Sequence, residues 1–377
     1  MPHISLNSIL RSIALMLLFS ACKNKTDLVN NQGMGLLKDS PVYAKGFSLY
    51  HDQHSAKIVI KNPWQHAEDV QYEYLLSSKE AIGEIKIPLK KVVCLSTTHL
   101  AYIHQLGEDA SVVGVTNTNL VSDSTINRQI FEEKTQNVGN EQALNYEIIL
   151  NLKPDVIFAY GVGAEIQGIY QKFQEWGIPV VVVSEYLEGS PLAKAEWIKF
   201  FAQFYQKQKV ADSIFESTEQ KYLALCRIAQ SVTYRPIVMS SLPWKDVWYV
   251  PGGKSFMGKY IQDAGGNYIW ASDSSRESLP LSVEKVFFET QNAEIWINAG
   301  MAITLSDIAA FDPRMQQLKP FKMNRVYNNT LRVNQNMGND FWESGCVNPH
   351  LILSDLIQIF HPTLMNDVPF YYYKQLH

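Results

Sequence analysis

The residues with the chemistry to hold a ligand are aromatic, hydroxyl-bearing or cationic side chains in segments that follow predicted strands. They are Ser96, Thr97, Thr98, Tyr160, Tyr186, Trp244, Trp248, Arg276, Phe341 and Trp342. Ligands of open parallel sheets bind beyond the carboxyl ends of the strands, where such segments meet. Aromatic faces together with one guanidinium group suit a large, flat or organic ligand. The alternative is that about half of these side chains pack against the domain beneath them, as tryptophans usually do.

Motifs for phosphate or nucleophile chemistry are incomplete or missing. Gly253 opens a G-x-x-x-x-G-K sequence, but Tyr260 stands where a phosphate-binding loop needs a serine or threonine to hold magnesium. The G-x-S-x-G motif of an α/β-hydrolase does not occur. The sequence therefore does not favour an enzyme.

The histidines do not favour a metal centre either. Residues 105–349 contain none, whereas a zinc or manganese site needs several histidines that converge with carboxylates. We interpret His99 as a residue that packs locally at the start of a helix, since a lone histidine rarely makes a site. We expect no directly coordinated metal and no resident cofactor.

Composition and charge exclude several classes of protein. The chain has 377 residues, of which 46% are hydrophobic and 19% charged, which predicts two folding units and excludes disordered and collagen-like chains. The formal net charge of −4 contrasts with the basic face of nucleic-acid-binding proteins. Four cysteines are too few for a disulfide scaffold, and we interpret Cys94 and Cys226 as buried apolar side chains.

The first 22 residues have the pattern of a secretory signal. Arg11 precedes the apolar run 13–19, and the small residues Ser20 and Ala21 stand before Cys22. The four residues LFSA before Cys22 resemble a bacterial lipobox, which implies cleavage before Cys22 and acyl chains that anchor it to a membrane. The alternative is a short buried helix with an incidental cysteine. We predict a signal peptide at 1–21 and a lipid-anchored linker at 22–40.

Two hydrophobic patterns divide the rest of the chain. Residues 42–75 contain apolar residues with period two, including Phe47, Leu49, Ile58 and Ile60. This pattern predicts a hairpin and a further strand near residues 70–75, within an N-terminal β extension at 41–88. Short strands that are apolar on both faces then alternate with helices, a pattern typical of parallel sheets covered on both sides. This alternation defines an N-terminal lobe at 90–189 and a C-terminal lobe at 231–363, followed by a tail at 364–377.

Residues 190–230 are predicted to connect the two lobes. Residues 192–230 lack Pro and Gly, and Trp197, Phe200, Phe201 and Phe204 follow helical spacing. The pattern predicts one helix on the order of 55 Å long, with a break near residues 207–209 as the alternative. The predicted fold class is α/β, with two parallel-sheet lobes joined by one long rigid helix and preceded by the β extension.

Several segments resemble the periplasmic substrate-binding proteins of iron-complex and cobalamin ABC importers. They are KVVCLSTTHLAYIHQLGEDASVVGV (91–115), VGNEQALNYEIILNLKPDVIFA (138–159), VPGGKSFMGKYIQDAGGNYIW (250–270), LSVEKVFFETQNAEIWIN (281–298) and the closing HP (361–362). The resemblance covers residues 90–363 and implies the helical-backbone fold of that family, with a ligand between the lobes. The sequence QNAE (291–294) departs from the family, which often has Asn-Pro-Asp there.

The resemblance also implies partners and a location. It implies a non-enzymatic monomer in the periplasm that delivers its ligand to an inner-membrane permease and its ATPase, with no role for nucleic acid. The β extension and the segment NDFWESG (339–345) are similar to the Bacteroidetes branch. No acidic run follows Cys22, which favours an anchor that faces the periplasm.

Glu147 and Glu284 are the candidate contacts with the permease. Residues 144–159 and 281–298 share an order of leucine, capping residue (Asn145 or Ser282), glutamate, apolar helix and strand. In the family, one acid on each lobe contacts arginines of the permease, and these two positions match. The alternative is that each acid stabilises its own helix dipole by about 0.3–1 kcal/mol.

The identity of the ligand stays open at this point. Family prevalence favours a ferric siderophore-like iron complex, which would use Arg276 and the tyrosines. Cobalamin would instead favour stacking on Trp244, Trp248 and Trp342, and haem is a further alternative. A chelatase-like enzyme on the same fold is less favoured, because the cleft lacks histidines.

Overall fold

The computed structural model describes residues 37–51, 55–79, 81–140, 142–365 and 368–377. The predicted signal peptide, Cys22 and most of the predicted linker lie outside these ranges. The strands are β1 (Leu37–Asp39), β2 (Phe47–His51), β3 (Ser55–Lys61), β4 (Gln71–Ser77), β5 (Ile85–Lys86), β6 (Val92–Cys94), β7 (Val112–Val115), β8 (Gln136–Asn137), β9 (Gly139–Asn140), β10 (Ala143–Leu144), β11 (Val156–Ala159), β12 (Val180–Val182), β13 (Ile237–Ser240), β14 (Pro243–Trp244), β15 (Val247–Pro251), β16 (Asn267–Tyr268), β17 (Ser278–Ser282), β18 (Ile295–Ile297), β19 (Val326–Asn328) and β20 (Lys374–Gln375).

The helices are α1 (Thr97–Gln105), α2 (Ser124–Phe131), α3 (Tyr146–Leu152), α4 (Ile166–Glu175), α5 (Pro191–Ala195), α6 (Ile198–Tyr205), α7 (Gln208–Gln230), α8 (Phe256–Asp263), α9 (Val283–Glu289), α10 (Leu305–Phe311), α11 (Lys319–Lys322), α12 (Asp340–Glu343) and α13 (Pro349–Phe360). Within the described ranges, none of them combines the length and apolar character that crossing a bilayer requires. Cys94, Cys226 and Cys346 are buried free thiols, which confirms the interpretation of the first two.

The N-terminal sheet has the strand order β1-β2-β3-β4-β5 and is antiparallel except for the β4–β5 pair. Phe47 lies opposite Ile60 and Leu49 opposite Ile58, and all four side chains are buried. Since side chains alternate between the faces of a strand, these residues give the sheet one apolar face. The structure confirms the predicted hairpin.

The sheet of the N-terminal lobe is fully parallel, with strand order β12-β11-β6-β7-β8. Every residue of the central strands β6 and β11 is buried, as expected for strands covered on both faces. The first strand of the lobe, β6, pairs with β7 on one side and β11 on the other, so the chain reverses its direction across the sheet there. The carboxyl edge at such a reversal is where ligands of open α/β sheets bind.

The sheet of the C-terminal lobe has the order β16-β13-β18-β19-β20, in which only the β19–β20 pair is antiparallel. A smaller antiparallel sheet, β14-β15-β17, belongs to the same lobe. The prediction of a separate tail at 364–377 is wrong, because β20 completes the main sheet and Tyr372, Tyr373 and Leu376 are buried in its core. The Asp355 carboxylate accepts hydrogen bonds from the backbone N–H groups of residues 371–373.

The connection between the lobes consists of the three helices α5, α6 and α7, so the prediction of one continuous helix is wrong. Gln206 adopts a left-handed conformation with φ of 56°, and Lys207 is also outside helical geometry. One break, at residues 206–207, borders on the alternative prediction of a break near residues 207–209, and a second, at residues 196–197, separates α5 from α6. The longest straight piece is α7, with 23 residues.

Helix α6 is buried along its whole length. On one side, Trp197 at its N-cap and Phe200 lie 4.9 and 5.7 Å from the ring of Phe47 in the N-terminal sheet. On another side, Phe201 and Phe204 lie 5.0 and 5.2 Å from Phe158 in β11. Apolar side chains on more than one face of a helix need cover on each of those faces, and the N-terminal sheet provides part of that cover.

Two buried carboxylates attach the N-terminal sheet to the connection. Glu196 accepts hydrogen bonds from the backbone N–H groups of residues 42–44 at 2.7–3.0 Å. Glu188 accepts those of residues 45 and 46, together with the indole N–H of Trp197 at 3.0 Å. Buried charges require such partners, so these acids fix the path of the chain as it enters β2.

We predict that Glu196→Ala lowers the free energy of unfolding by about 3 kcal/mol, because one buried and two partly buried hydrogen bonds from backbone N–H groups lose their charged acceptor. Glu196→Gln, which keeps one acceptor oxygen, should cost less. The measurement is urea unfolding, with Glu175→Ala on the exposed surface of α4 as the control. A cost for Glu196→Ala no larger than that of the control would contradict the anchoring role.

Candidate functional site

A pocket of about 410 Å³, here called the junction pocket, lies where three parts of the structure meet. Its wall includes Lys45, Lys61 and Trp64 from the N-terminal sheet and its loops, Ser184 and Tyr186 from the N-terminal lobe, and Arg276 and Glu277 from the C-terminal lobe. The structure thus brings two predicted ligand residues, Tyr186 and Arg276, together from opposite lobes.

Tyr186 is held in place by the segment that follows the neighbouring strand. It lies in a 3₁₀ turn after β12, and its hydroxyl donates a hydrogen bond to the carbonyl oxygen of Gly161, which follows β11, at 2.8 Å. Burial and the nearby charge of Glu185 raise the pKa of Tyr186 well above its ordinary value. The hydroxyl is therefore neutral at physiological pH.

Arg276 owes its position to the glycine-rich segment. A Cβ atom on Gly252 would lie 2.4 Å from the carbonyl oxygen of Ser275, and one on Gly253 equally close to that of Asp273. The backbone N–H of Lys254 donates to the Ser275 carbonyl at 2.9 Å. The glycines of the incomplete phosphate motif therefore allow close backbone packing that supports the loop of Arg276.

The charges of the junction pocket are mainly positive. Lys45, Lys61 and Arg276 line it, against the carboxylates of Glu188 and Glu277. Glu188 already accepts hydrogen bonds from two backbone N–H groups and an indole. The pocket is therefore suited to a ligand that carries negative charge or anionic oxygen atoms.

Ser96, Thr97 and Thr98 lie at the start of α1, outside the junction pocket. The Ser96 hydroxyl accepts a hydrogen bond from the backbone N–H of Thr98 at 3.3 Å and caps the helix. The carbonyl oxygen of Thr98 lies 3.8 Å from the Cys346 sulfur in the C-terminal lobe. The backbone of Thr98 therefore contacts the C-terminal lobe, and all three residues are half-buried.

Phe341 and Trp342 form a pair in the C-terminal lobe. Phe341 is buried, with its ring edge-on to those of Tyr372 and Tyr373. Trp342 packs edge-on against Phe341 and keeps 48% of its surface exposed. The space between them and Lys194 measures about 20 Å³, which accommodates about one water molecule. In this arrangement, Trp342 is the member of the pair that can contact a ligand.

Trp248 is wrongly predicted as a ligand contact. Its side chain is fully buried, packs against Trp296 and donates its indole N–H to the carbonyl oxygen of Ser240 at 3.2 Å. Trp244, on the neighbouring strand β14, is 71% exposed and does not line the junction pocket.

Tyr160 is half-buried and lies edge-on to His99, with ring centroids 6.4 Å apart.

The histidines behave largely as expected. His99 is fully buried among aromatic rings, and burial lowers its pKa to about 3, which confirms the interpretation of local packing. Among the described residues, one group could hold a metal ion, namely His104, Asp109 and Asp123. His104 Nδ1 lies 2.8 Å from Asp109 and 3.3 Å from Asp123, so the three side chains already contact one another.

Glu147 and Glu284 occupy equivalent places in the two lobes. Each lies exposed in the first turn of a seven-residue helix, α3 or α9. Asn145 and Ser282 cap these helices through backbone N–H groups at 3.1 and 3.2 Å, so both act as the capping residues that the sequence predicts. Glu284 lies 3.6 Å from Arg314, an exposed pair that contributes little to stability.

We predict opposite effects for the two tryptophans of the small sheet. Trp248→Ala should lower the free energy of unfolding by about 3–5 kcal/mol because it empties a core position. Trp244→Ala, the matched control in the same hairpin, should change it by less than about 0.5 kcal/mol. Urea unfolding followed by circular dichroism measures both. Equal effects would contradict the burial described here.

A family model described as periplasmic binding protein matches residues 92–329, more than half of the chain. An uncharacterized lipoprotein of Methanocaldococcus jannaschii is 26% identical over 390 residues, which cover 93% of this chain and 91% of the relative.

Solved structures share the fold. A possible iron-binding, periplasmic solute-binding protein from Staphylococcus epidermidis superposes with a TM-score of 0.57 at 17% identity, covering 72% of this chain and 98% of that one. A periplasmic haem-binding protein from Roseiflexus sp. RS-1 superposes with a TM-score of 0.56 at 21% identity, covering 73% and 99%. At these identities, the likeness establishes the two-lobed α/β architecture.

Proposed function

The chain belongs to the periplasmic binding protein family, and from that premise we propose that it is the ligand-binding component of an ABC importer. The observation that carries the proposal is the meeting of Tyr186 and Arg276, from opposite lobes, in one pocket. A ligand that contacts both would hold the lobes together. Such a protein would capture its ligand between the lobes and release it to a permease.

The ligand that we propose is an iron complex of the ferric siderophore type. Such complexes are often anionic, and the guanidinium of Arg276 with the ammonium groups of Lys45 and Lys61 favours negative charge. The name of the Staphylococcus relative refers to iron. Haem or cobalamin is the second candidate, supported by the exposed rings of Trp244 and Trp342, on which a flat macrocycle could stack.

We propose that the protein is not an enzyme and keeps no resident cofactor. The cations and aromatic rings around the junction pocket would bind and orient a ligand, and His66 is the one histidine in its wall. A chelatase-like activity on the same fold is the alternative, and it would need metal or acid–base groups at the cleft.

The location that we propose is the periplasm, with the chain held at a membrane by acyl groups on Cys22. The relative from Methanocaldococcus is also named a lipoprotein. Acyl chains on one terminal residue would leave the two lobes in water beside the membrane, where a monomer can reach a permease and its ATPase.

We predict that the protein, prepared without residues 1–21 and with Cys22→Ser, binds a ferric siderophore. Arg276→Ala should weaken binding about tenfold or more, since a charge-assisted hydrogen bond contributes about 1.5–3 kcal/mol. Tyr186→Phe should have a smaller effect. Isothermal titration against ferric siderophores, haem and cobalamin provides the measurement, with Arg227→Ala on the exposed side of α7 as the control.

If the protein binds haem or cobalamin and no ferric siderophore, the second candidate is the ligand and the proposed iron complex is not. An absence of binding to all three, together with hydrolytic or chelatase turnover, would overturn the proposal in favour of an enzyme.

We predict that reversing both docking acids, in Glu147→Lys with Glu284→Lys, abolishes ligand uptake by cells and leaves ligand affinity unchanged. The two side chains are exposed and lie outside the junction pocket, so the ligand should not sense the change. Glu175→Lys with Glu216→Lys alters the net charge equally on other exposed helices and should preserve uptake. Normal uptake by the first variant would contradict docking through these acids.

A further inference from the structure

The two lobes also touch at a second place, away from the junction pocket. Residues 119–123, which follow β7, lie against residues 334–343 of the C-terminal lobe. In the sheet order β12-β11-β6-β7-β8, two strands separate β7 from β12. With adjacent strands about 4.8 Å apart, β7 and β12, which lead to this contact and to Tyr186, are about 14 Å apart in the sheet.

Glu343 makes the strongest bonds across this contact. Its two carboxylate oxygens accept hydrogen bonds from the backbone N–H groups of Ser122 at 2.9 Å and Asp123 at 2.7 Å. Glu343 is 2% exposed, so these charge-assisted bonds are shielded from water. They join positions 220 and 221 residues apart in the sequence.

Asn334 and Gly338 bring the backbones of the two lobes together beside Glu343. The Asn334 side-chain amide donates to the carbonyl oxygens of Asn119 at 3.0 Å and Val121 at 3.2 Å. A Cβ atom on Gly338 would lie 2.1 Å from the carbonyl oxygen of Leu120. The absence of a side chain at residue 338 therefore permits direct contact between the backbones.

We propose that Glu343 and Asn334 form an inter-lobe clasp that holds the two lobes together at the β7 edge and leaves the junction-pocket edge as the route for the ligand. Neither residue lines the junction pocket, so both are positioning residues. The route of the ligand rests on the proposed function, whereas the clasp itself rests only on the contacts between the lobes.

The charged groups around Glu343 give the clasp a pH dependence. Asp340 on the same helix pairs with Arg332, and Asp123 from the opposite lobe pairs with His104, which also contacts Asp109. Burial, and then the charges of Asp340 and Asp123, raise the pKa of Glu343 to about 7, against the lowering effect of its two backbone donors. Partial burial opposes protonation of His104, but Asp109, Asp123 and Glu343 together raise its pKa.

The sign of the dependence follows from these shifts. An open clasp would expose Glu343, whose pKa would return towards the ordinary value of 4.5. Because the closed form binds the proton more tightly, the clasp gains stability as the pH falls from about 7 towards 4.5 and loses it as the pH rises.

The test measures lobe separation and backbone protection without any ligand. Spin labels at Gln174→Cys and Lys322→Cys, two exposed positions on different lobes, report the inter-lobe distance in protein with Cys22→Ser. We expect Glu343→Ala to broaden the distance distribution and to speed hydrogen exchange of the peptide spanning 119–126 about tenfold. Asn334→Ala should have a smaller effect of the same kind, and Glu175→Ala should have none.

Two further measurements distinguish a loss of the clasp from a general loss of stability. They are the pH dependence of the distance distribution and the conservative variant Glu343→Gln. The distribution should be narrower at pH 5.5 than at pH 7.5 in the wild-type chain, and Glu343→Gln should remove most of this difference while it keeps the lobes together. Unchanged distances and exchange in both Glu343→Ala and Asn334→Ala would overturn the clasp. If the clasp holds but no ligand binds, the proposed function alone fails.

Discussion

Two buried carboxylates, Glu188 and Glu196, hold five consecutive backbone N–H groups at residues 42–46, and much of the architecture depends on this attachment. Helix α6 is buried on all sides and would expose apolar rings if the N-terminal sheet were absent. The same attachment places the loops of that sheet beside Tyr186 and Arg276. The N-terminal sheet thus completes both the core of the first lobe and the wall of the junction pocket.

The parts of the fold that the sequence predicted are those fixed by neighbouring residues. Period-two alternation located the hairpin of β2 and β3, and the capping residues Asn145 and Ser282 located the starts of α3 and α9. The break at Gln206 was predicted only as an alternative, near residues 207–209, because a left-handed residue that is not glycine carries no clear signal. The apolar spacing also continues across the break, since helices on both sides of it contribute to one core.

The candidate site was only partly predictable for a related reason. Tyr186 could be placed because it follows a strand of a parallel sheet, where binding residues collect. Trp248 was misplaced because the buried face of β15 is decided by the partner that covers it, here the ring of Trp296. The bonds of Glu343 to Ser122 and Asp123 span more than 200 positions, and one sequence contains no local pattern that links such residues.

Long-range contacts also explain part of the acidic composition. Glu196, Asp355 and Glu343 each bind consecutive backbone N–H groups from distant segments, so part of the negative charge serves the interior. Glu196 and Asp355 join elements that pack together in one core, whereas Glu343 joins two lobes beside further acids. The cations of the junction pocket therefore act in a chain of net negative charge. Since screening limits each charge to about 10 Å at ordinary salt, the local cations and not the net charge determine the electrostatic potential in the junction pocket.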